Sequence, residues 1–186
     1  MTCIVGIEWN GKVYLGADTA SSAGWTKREL IEPKVCKNGR FAIGLSGTLR
    51  MAQLVQYDFA PPDDESNLYD MRYMVSAFVP ALRSCLKDAG HATIDNNKEG
   101  HDSYFLVGVR DKLYRVGSDY AVLRCADRFD AIGSGGDFAL SLLWYHLKHY
   151  EAIHARKVLT LALEAAAHFA NGVSSNFNFV ETESGE

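Results

Sequence analysis

Apolar residues dominate from Cys3 to Trp9, stop at Asn10-Gly11, and return from Lys12 to Asp18. An Asn-Gly pair between two such runs is a strong hairpin signal, because the tight turn that matches strand twist needs positive φ at both central residues. After a small-residue stretch, Thr19 to Gly24, the pattern repeats as Lys34 to Lys37, Asn38-Gly39 and Phe41 to Leu45. Two hairpins so close together predict an antiparallel sheet as the early core.

From Leu49 the period lengthens. Met51, Leu54, Val55 and Phe59 recur at helical spacing until Pro61-Pro62 ends the pattern. Met71, Met74, Val75, Phe78, Val79, Leu82, Cys85 and Leu86 predict a long amphipathic helix, kinked at Pro80 and ended at Gly90. The polar stretch His91 to Asp102 reads as a loop. Strands are predicted at Tyr104 to Val109, Lys112 to Val116 and Tyr120 to Cys125. Helices follow at Asp137 to Tyr150 and Ala155 to Asn171, with a last strand from Phe177 to Glu181. Strands and helices that come in groups indicate an α+β fold rather than a doubly wound parallel sheet. No repeat or linker divides the chain, so residues 1–186 are expected to form one domain.

Composition narrows the function classes. A net charge of -4 offers no basic face for nucleic acid. No run approaches the roughly 18 apolar residues of a membrane span, and the N-terminus lacks the basic and apolar regions of a secretory signal. Cys3, Cys36, Cys85 and Cys125 are far apart, which disfavours a zinc site or a disulfide framework and fits a reducing, cytoplasmic setting. His146 and His149, three apart on a helix with His154 nearby, lack a further ligand and read as surface histidines.

Three residues carry candidate chemistry. Methionine aminopeptidases remove Met1 when the next side chain is small, which would leave Thr2 with a free α-amine. Such an amine titrates near ~7.7–8.0 and can serve as general base to the hydroxyl of its own residue. Asp18 ends a predicted strand, and Lys34 lies in Glu32-Pro33-Lys34-Val35. A buried lysine lowers the cost of forming an alkoxide, and a neighbouring carboxylate keeps that lysine oriented and charged. Each residue alone is ordinary: a residue after the initiator, a turn aspartate, a strand-end charge. Cys3, beside Thr2, should point to the opposite face of its strand as a core residue.

In order along the chain stand Thr2-Cys3-Ile4-Val5-Gly6-Ile7, Asn10-Gly11-Lys12-Val13, Leu15-Gly16-Ala17-Asp18, Pro33-Lys34-Val35, Ile43-Gly44-Leu45-Ser46-Gly47 and Ile132-Gly133-Ser134-Gly135-Gly136. With these words the sequence resembles the proteasome β-type threonine peptidases, especially HslV-like subunits of bacteria and their phage-borne relatives. The resemblance implies a four-layer αββα sandwich of two antiparallel sheets, the N-terminal nucleophile hydrolase fold. It implies Thr2 as nucleophile, with Asp18 and Lys34 completing the catalytic group. Gly47 would offer its N–H to the oxyanion, and Ser134 would relay protons near the threonine amine. Ser21 and Ser22 would begin the substrate-binding strand. Glu32, Cys36, Ser46 and Arg50 are candidates for lining the first specificity pocket.

The resemblance further implies homo-oligomeric rings, hexameric or heptameric and single or stacked, acting on peptides or unfolded proteins without cofactor or metal. Any AAA+ ATPase unfoldase that feeds such a ring must be a separate protein, because this chain has no GxxxxGK[ST] loop. One departure stands out. The family usually places an aspartate, and shortly afterwards a serine, just past the last long helix, whereas His168 to Asn176 contains no aspartate. Ser174 or Ser175 is left to supply the serine, and Asn171 or His168 to stand for the aspartate. Two other readings share the fold: a catalytically silent ring-forming subunit that keeps Met1, and an amidase acting on a small substrate.

Overall fold

Asn10 and Gly11 take positive φ (46° and 76°) and turn β1 (Ile4–Trp9) into β2 (Lys12–Asp18), as the Asn-Gly signal requires. The computed structural model describes residues 1–23, 26–95, 97–150 and 154–183. Gly24, the expected end of the small-residue stretch, and Asn96, within the expected loop, lie outside these. The small-residue stretch itself forms β3 (Ala20–Ala23), which pairs with β4 (Thr26–Glu29) as a separate hairpin. The second Asn-Gly turn slips by one residue. Asn38 still pairs, opposite Phe41, so Gly39 (φ 57°) and Arg40 connect β5 (Val35–Asn38) to β6 (Phe41–Ser46). The reason lies beneath it: the Asn38 amide donates to the carbonyls of Val55 and Phe59, which holds Asn38 in the strand.

Thr48 caps α1 (Leu49–Tyr57) by accepting the Met51 N–H. The long predicted helix is continuous: α2 (Met71–Tyr73), a π-helical stretch Met74–Phe78 and α3 (Val79–Asp88). The wide turn precedes Pro80, whose missing N–H breaks the usual i→i+4 ladder; Val79 N–H reaches back five residues, to Met74. Gly90, at φ 76°, ends the helix while the Gly90 and His91 N–H groups bond the Lys87 and Leu86 carbonyls. The expected loop from His91 instead contains a small hairpin, β7 (Thr93–Asp95) with β8 (Lys98–Gly100). With β7 exposed on both faces, no alternation could announce it.

β9 (Tyr104–Val109) and β10 (Lys112–Val116) match their expected bounds, but the next strand shrinks to β11 (Val122–Leu123). Tyr120 (φ 65°) is used in the preceding turn, and Arg124 leaves the sheet to meet Glu8 in a two-pronged pair at 2.9 and 3.0 Å. An unexpected strand, β12 (Phe129–Ile132), is too short to show a period. α4 (Gly136–His149), α5 (Ala155–Phe169) and β13 (Phe177–Glu181) complete the chain, His154 accepting the Arg156 N–H as cap of α5.

Apart from the β3–β4 and β7–β8 hairpins, the described strands form two antiparallel sheets, ordered β12-β1-β2-β13 and β11-β10-β9-β6-β5. Alternation along each strand divides the core into three layers. Val5 and Ile7 face α4 and α5, whereas Phe41, Ile43, Phe105 and Val107 face α1 to α3. Ile4, Val13, Leu15, Ala42 and Leu106 fill the space between the sheets. The result is the expected αββα sandwich. The sheets meet closely because Gly44 and Gly108 lack side chains; a Cβ there would lie 2.8 Å from Ile4 Cγ2 and 2.5 Å from Val13 Cγ1. No helix among the described residues is long and apolar enough to cross a membrane.

Candidate active site

Thr2 lies two residues before the start of β1 and is held by the turn between β12 and α4. Gly133, at φ 93°, passes beneath it, and the Gly135 N–H donates to the Thr2 carbonyl at 3.2 Å. The Thr2 N–H donates to Ser134 Oγ at 3.3 Å. On the other side, Lys34 Nζ donates to Thr2 Oγ1 at 3.2 Å and to Asp18 Oδ1 at 2.8 Å. Four residues expected to share a site are therefore in direct contact.

Asp18 is the hub. Its fully buried carboxylate accepts Lys34 and the Cys3 N–H (2.9 Å) on Oδ1, and the Ala20 (3.0 Å) and Ser174 (3.2 Å) N–H groups on Oδ2. Every lone-pair direction that matters has a donor, so the charge is stabilised without water. Burial pulls the Lys34 ammonium below the usual lysine range, and Asp18 opposes that pull by charge and hydrogen bond. Cys3 turns away from the site into the layer under α4 and α5, where burial pushes its thiol up to about 12. It is an inert core residue at neutral pH.

A cleft of about 190 Å³ opens beside Thr2 and Lys34. Ser21, Ser22, Gly47 and Thr48 supply its polar rim, and Ala20, Leu30, Leu45, Leu49 and Ala52 its apolar wall. Gly47 is pressed onto Ser103: a Cβ there would lie 1.7 Å from Ser103 Oγ. Met1 enters the same cleft, its amine donating to Ser22 Oγ at 3.0 Å.

The other expected pocket residues are placed elsewhere. Glu32 is exposed on the approach to β5. Cys36 packs toward α1–α3, and burial raises its thiol to about 11. Ser46 lies under Gly133, its Oγ 3.1 Å from where a Cβ would be. Arg50 borders a separate depression with Gln53 and Tyr57. Leu45 of β6 and Leu49 and Ala52 of α1, with Ala20 and Leu30, form the wall instead.

The loop after α5 meets the site through Ser174 rather than Ser175, which is exposed, as are Asn171 and His168. Ser174 is buried, and its hydroxyl lies 3.0 Å from Thr19 Oγ1. Thr19 also donates its hydroxyl to Glu29. Neither Thr19 nor Glu29 stands out in the sequence, since their meeting depends on the β3–β4 pairing of Ala20 with Glu29. His146 stacks on Tyr150 and His149 lies tilted against Tyr145, and no group of three or more potential ligands among the described residues is placed to hold a metal ion.

No protein-family model matches the chain, and no curated protein matches it. Solved structures do. Thiobacillus denitrificans BPH in complex with epoxomicin aligns over 100% of both chains at 19% identity, with a TM-score of 0.81. HslV from Trypanosoma brucei aligns at 18% identity over 98% of this chain and 99% of its own, with a TM-score of 0.68. Anbu from Hyphomicrobium sp. strain MC1 aligns at 15% identity over 98% of this chain and 82% of its own, with a TM-score of 0.67. The fold is that of the proteasome-type N-terminal nucleophile hydrolases. Among these, the likeness extends end to end to both BPH and HslV.

Proposed function

We propose that this chain is a threonine-type endopeptidase subunit of a self-compartmentalised ring protease, with Thr2 as nucleophile once Met1 is removed. The observation that carries the reading is the triad Thr2–Lys34–Asp18, closed by hydrogen bonds of 3.2 and 2.8 Å around a hydroxyl at the floor of a cleft. While Met1 is present the Thr2 nitrogen is an amide and cannot accept a proton. Its excision yields an amine at the position from which Ser134 Oγ is 3.3 Å away. That amine takes the hydroxyl proton as Thr2 Oγ1 attacks the substrate carbonyl, and Lys34 stabilises the developing negative charge. The Gly47 N–H would meet the oxyanion. The amine then protonates the leaving nitrogen, and water hydrolyses the ester to free Thr2. Lys34 and Asp18 remain a charged pair throughout.

The wall of Leu45, Leu49 and Ala52 favours an apolar substrate side chain on the acyl side of the cleaved bond. Ring assembly of this chain, its cytoplasmic location and a separate AAA+ unfoldase that delivers unfolded protein belong to the same reading. They rest on the likeness to HslV.

The test is the intact mass before and after treatment with an epoxyketone of the kind bound in the BPH structure. Loss of one methionine and gain of one adduct, absent from Thr2→Ala, is expected. A second reading, a silent subunit, requires Met1 to stay in the cleft, where its amine meets Ser22 Oγ at 3.0 Å. Retained Met1 with no adduct would select it. An amidase on a small substrate would react with the epoxyketone yet leave casein fragments uncut.

A further inference from the structure

We infer that Glu29, at the end of β4, is a positioning residue for the catalytic lysine, acting through Thr19, Ser174 and Asp18. This rests on the threonine-peptidase reading of the site.

The chain of contacts is continuous. Thr19 has one hydroxyl proton, and of its two acceptors the Glu29 carboxylate is nearer than the Asn176 carbonyl at 3.3 Å. That leaves Thr19 Oγ1 able to accept from the Ser174 hydroxyl, 3.0 Å away, whose other acceptor is the Asn176 carbonyl at 3.2 Å. The Thr19 N–H in turn donates to Ser174 Oγ at 3.2 Å and to the Asn176 carbonyl at 3.1 Å. Ser174 is thereby clamped with its own N–H on Asp18 Oδ2. Asp18 turns its other oxygen to Lys34, and Lys34 reaches Thr2. An acceptor-only carboxylate at the outer end gives the hydroxyls one direction, a task a neutral acceptor performs less firmly.

Thr19 and Ser174 are buried, so without Glu29 the Thr19 hydroxyl would turn to the Asn176 carbonyl, 3.3 Å away, and shift its hold on Ser174. The Thr19 bond holds the Glu29 carboxyl below the usual glutamate range, which keeps the anchor ionised at neutral pH. The Glu29 charge also favours the ammonium form of Lys34, as a smaller influence than Asp18. Glu29 is not among the residues lining the cleft, which separates this role from substrate binding.

The experiment compares Glu29→Ala, Glu29→Gln, Thr19→Val and the Ala/Val double variant, in protein freed of Met1. Peptide hydrolysis and the rate of epoxyketone adduct formation are both measured, with circular dichroism to confirm folding. Expected is a fall in kcat of roughly tenfold for Glu29→Ala at unchanged KM, about the value of one charge-assisted hydrogen bond. Glu29→Gln, which keeps an acceptor but no charge, should recover part of the loss. The double variant should be no slower than the worse single one, because both act on one chain of bonds. A kcat for Glu29→Ala within about twofold of the parent overturns the proposal. So does a rise in KM alone, or losses that multiply in the double variant. Parent protein that neither cleaves peptide nor takes up the epoxyketone would instead refute the peptidase reading itself.

Discussion

Gly133 runs so close beneath Thr2 that a Cβ on it would lie 2.2 Å from the Thr2 carbonyl oxygen, and its φ of 93° is one that residues with side chains avoid. Thr2 is seated on a backbone that only glycine can supply. Gly133→Ala is therefore expected to cost about 1–3 kcal/mol in chemical denaturation. It should also slow epoxyketone uptake more than it lowers stability, since any relief of the clash displaces Thr2. Normal uptake by a folded variant would show that the close approach is incidental.

Lys34→Ala removes the cation from Thr2 Oγ1 and is expected to lower kcat by at least about a hundredfold, the scale of an electrostatic group aimed at a reacting oxygen. Asp18→Asn should harm stability as well. An amide has one acceptor oxygen, so its NH2 must face either Lys34 and the Cys3 N–H or the N–H groups of Ala20 and Ser174. A loss of about 3 kcal/mol is expected by urea denaturation, as for other broken buried pairs. A stable and active Asp18→Asn protein would remove Asp18 from the site.

Activity and stability should respond oppositely to alkaline pH. The Lys34 pKa in the folded chain lies below its ordinary 10.5 because burial disfavours the ammonium. Between the folded and ordinary values the unfolded chain binds the extra proton, so the contribution of Lys34 to stability rises with pH. Over the same interval the ammonium is lost and kcat falls. A pH series of kcat and of denaturation midpoint, each referenced to Lys34→Ala, tests both signs. A kcat that stays level up to pH 10.5 would contradict a depressed lysine at the site.

Cleavage should follow the apolar wall of the cleft. Peptides with Leu or Phe on the acyl side are expected to be cut faster than those with Arg or Glu. Ala52→Phe should lower kcat/KM for the larger side chains by about tenfold while sparing Ala, the discrimination one or two methylenes provide in such a pocket. A fluorogenic peptide panel decides this, and a preference for Arg would disprove the assignment of the wall.

Much of the molecule was legible where local pattern and tertiary need agree. The strand at Lys12–Asp18, the helix ended by Gly90 and the last strand at Phe177–Glu181 fall where the residues indicate. Legibility fails where a distant partner decides. Asn38 stays in its strand because helix-end carbonyls take its amide, and β11 is cut short because Arg124 turns to Glu8. At the site, Thr2, Asp18, Lys34 and Ser134 carry recognisable neighbouring words and do converge. The pocket wall does not follow from residue type: strand parity sends Cys36 to the helices, and helix phase brings Leu49 and Ala52 to the cleft while Arg50 points to another depression. Thr19 and Glu29 meet only through a hairpin of short, exposed or small residues that no hydrophobic period marks.

The four donors on Asp18 come from Cys3, Ala20, Lys34 and Ser174, the last of these 156 positions away. Closing so long a loop is entropically slow and is rewarded only when the contacts at its ends form. A chain emerging from the ribosome therefore holds Thr2, Asp18 and Lys34 long before it holds the segment that fixes them. The Asp18 cluster is thus a property of the finished fold, complete only after the last helix and the segment beyond it have been made.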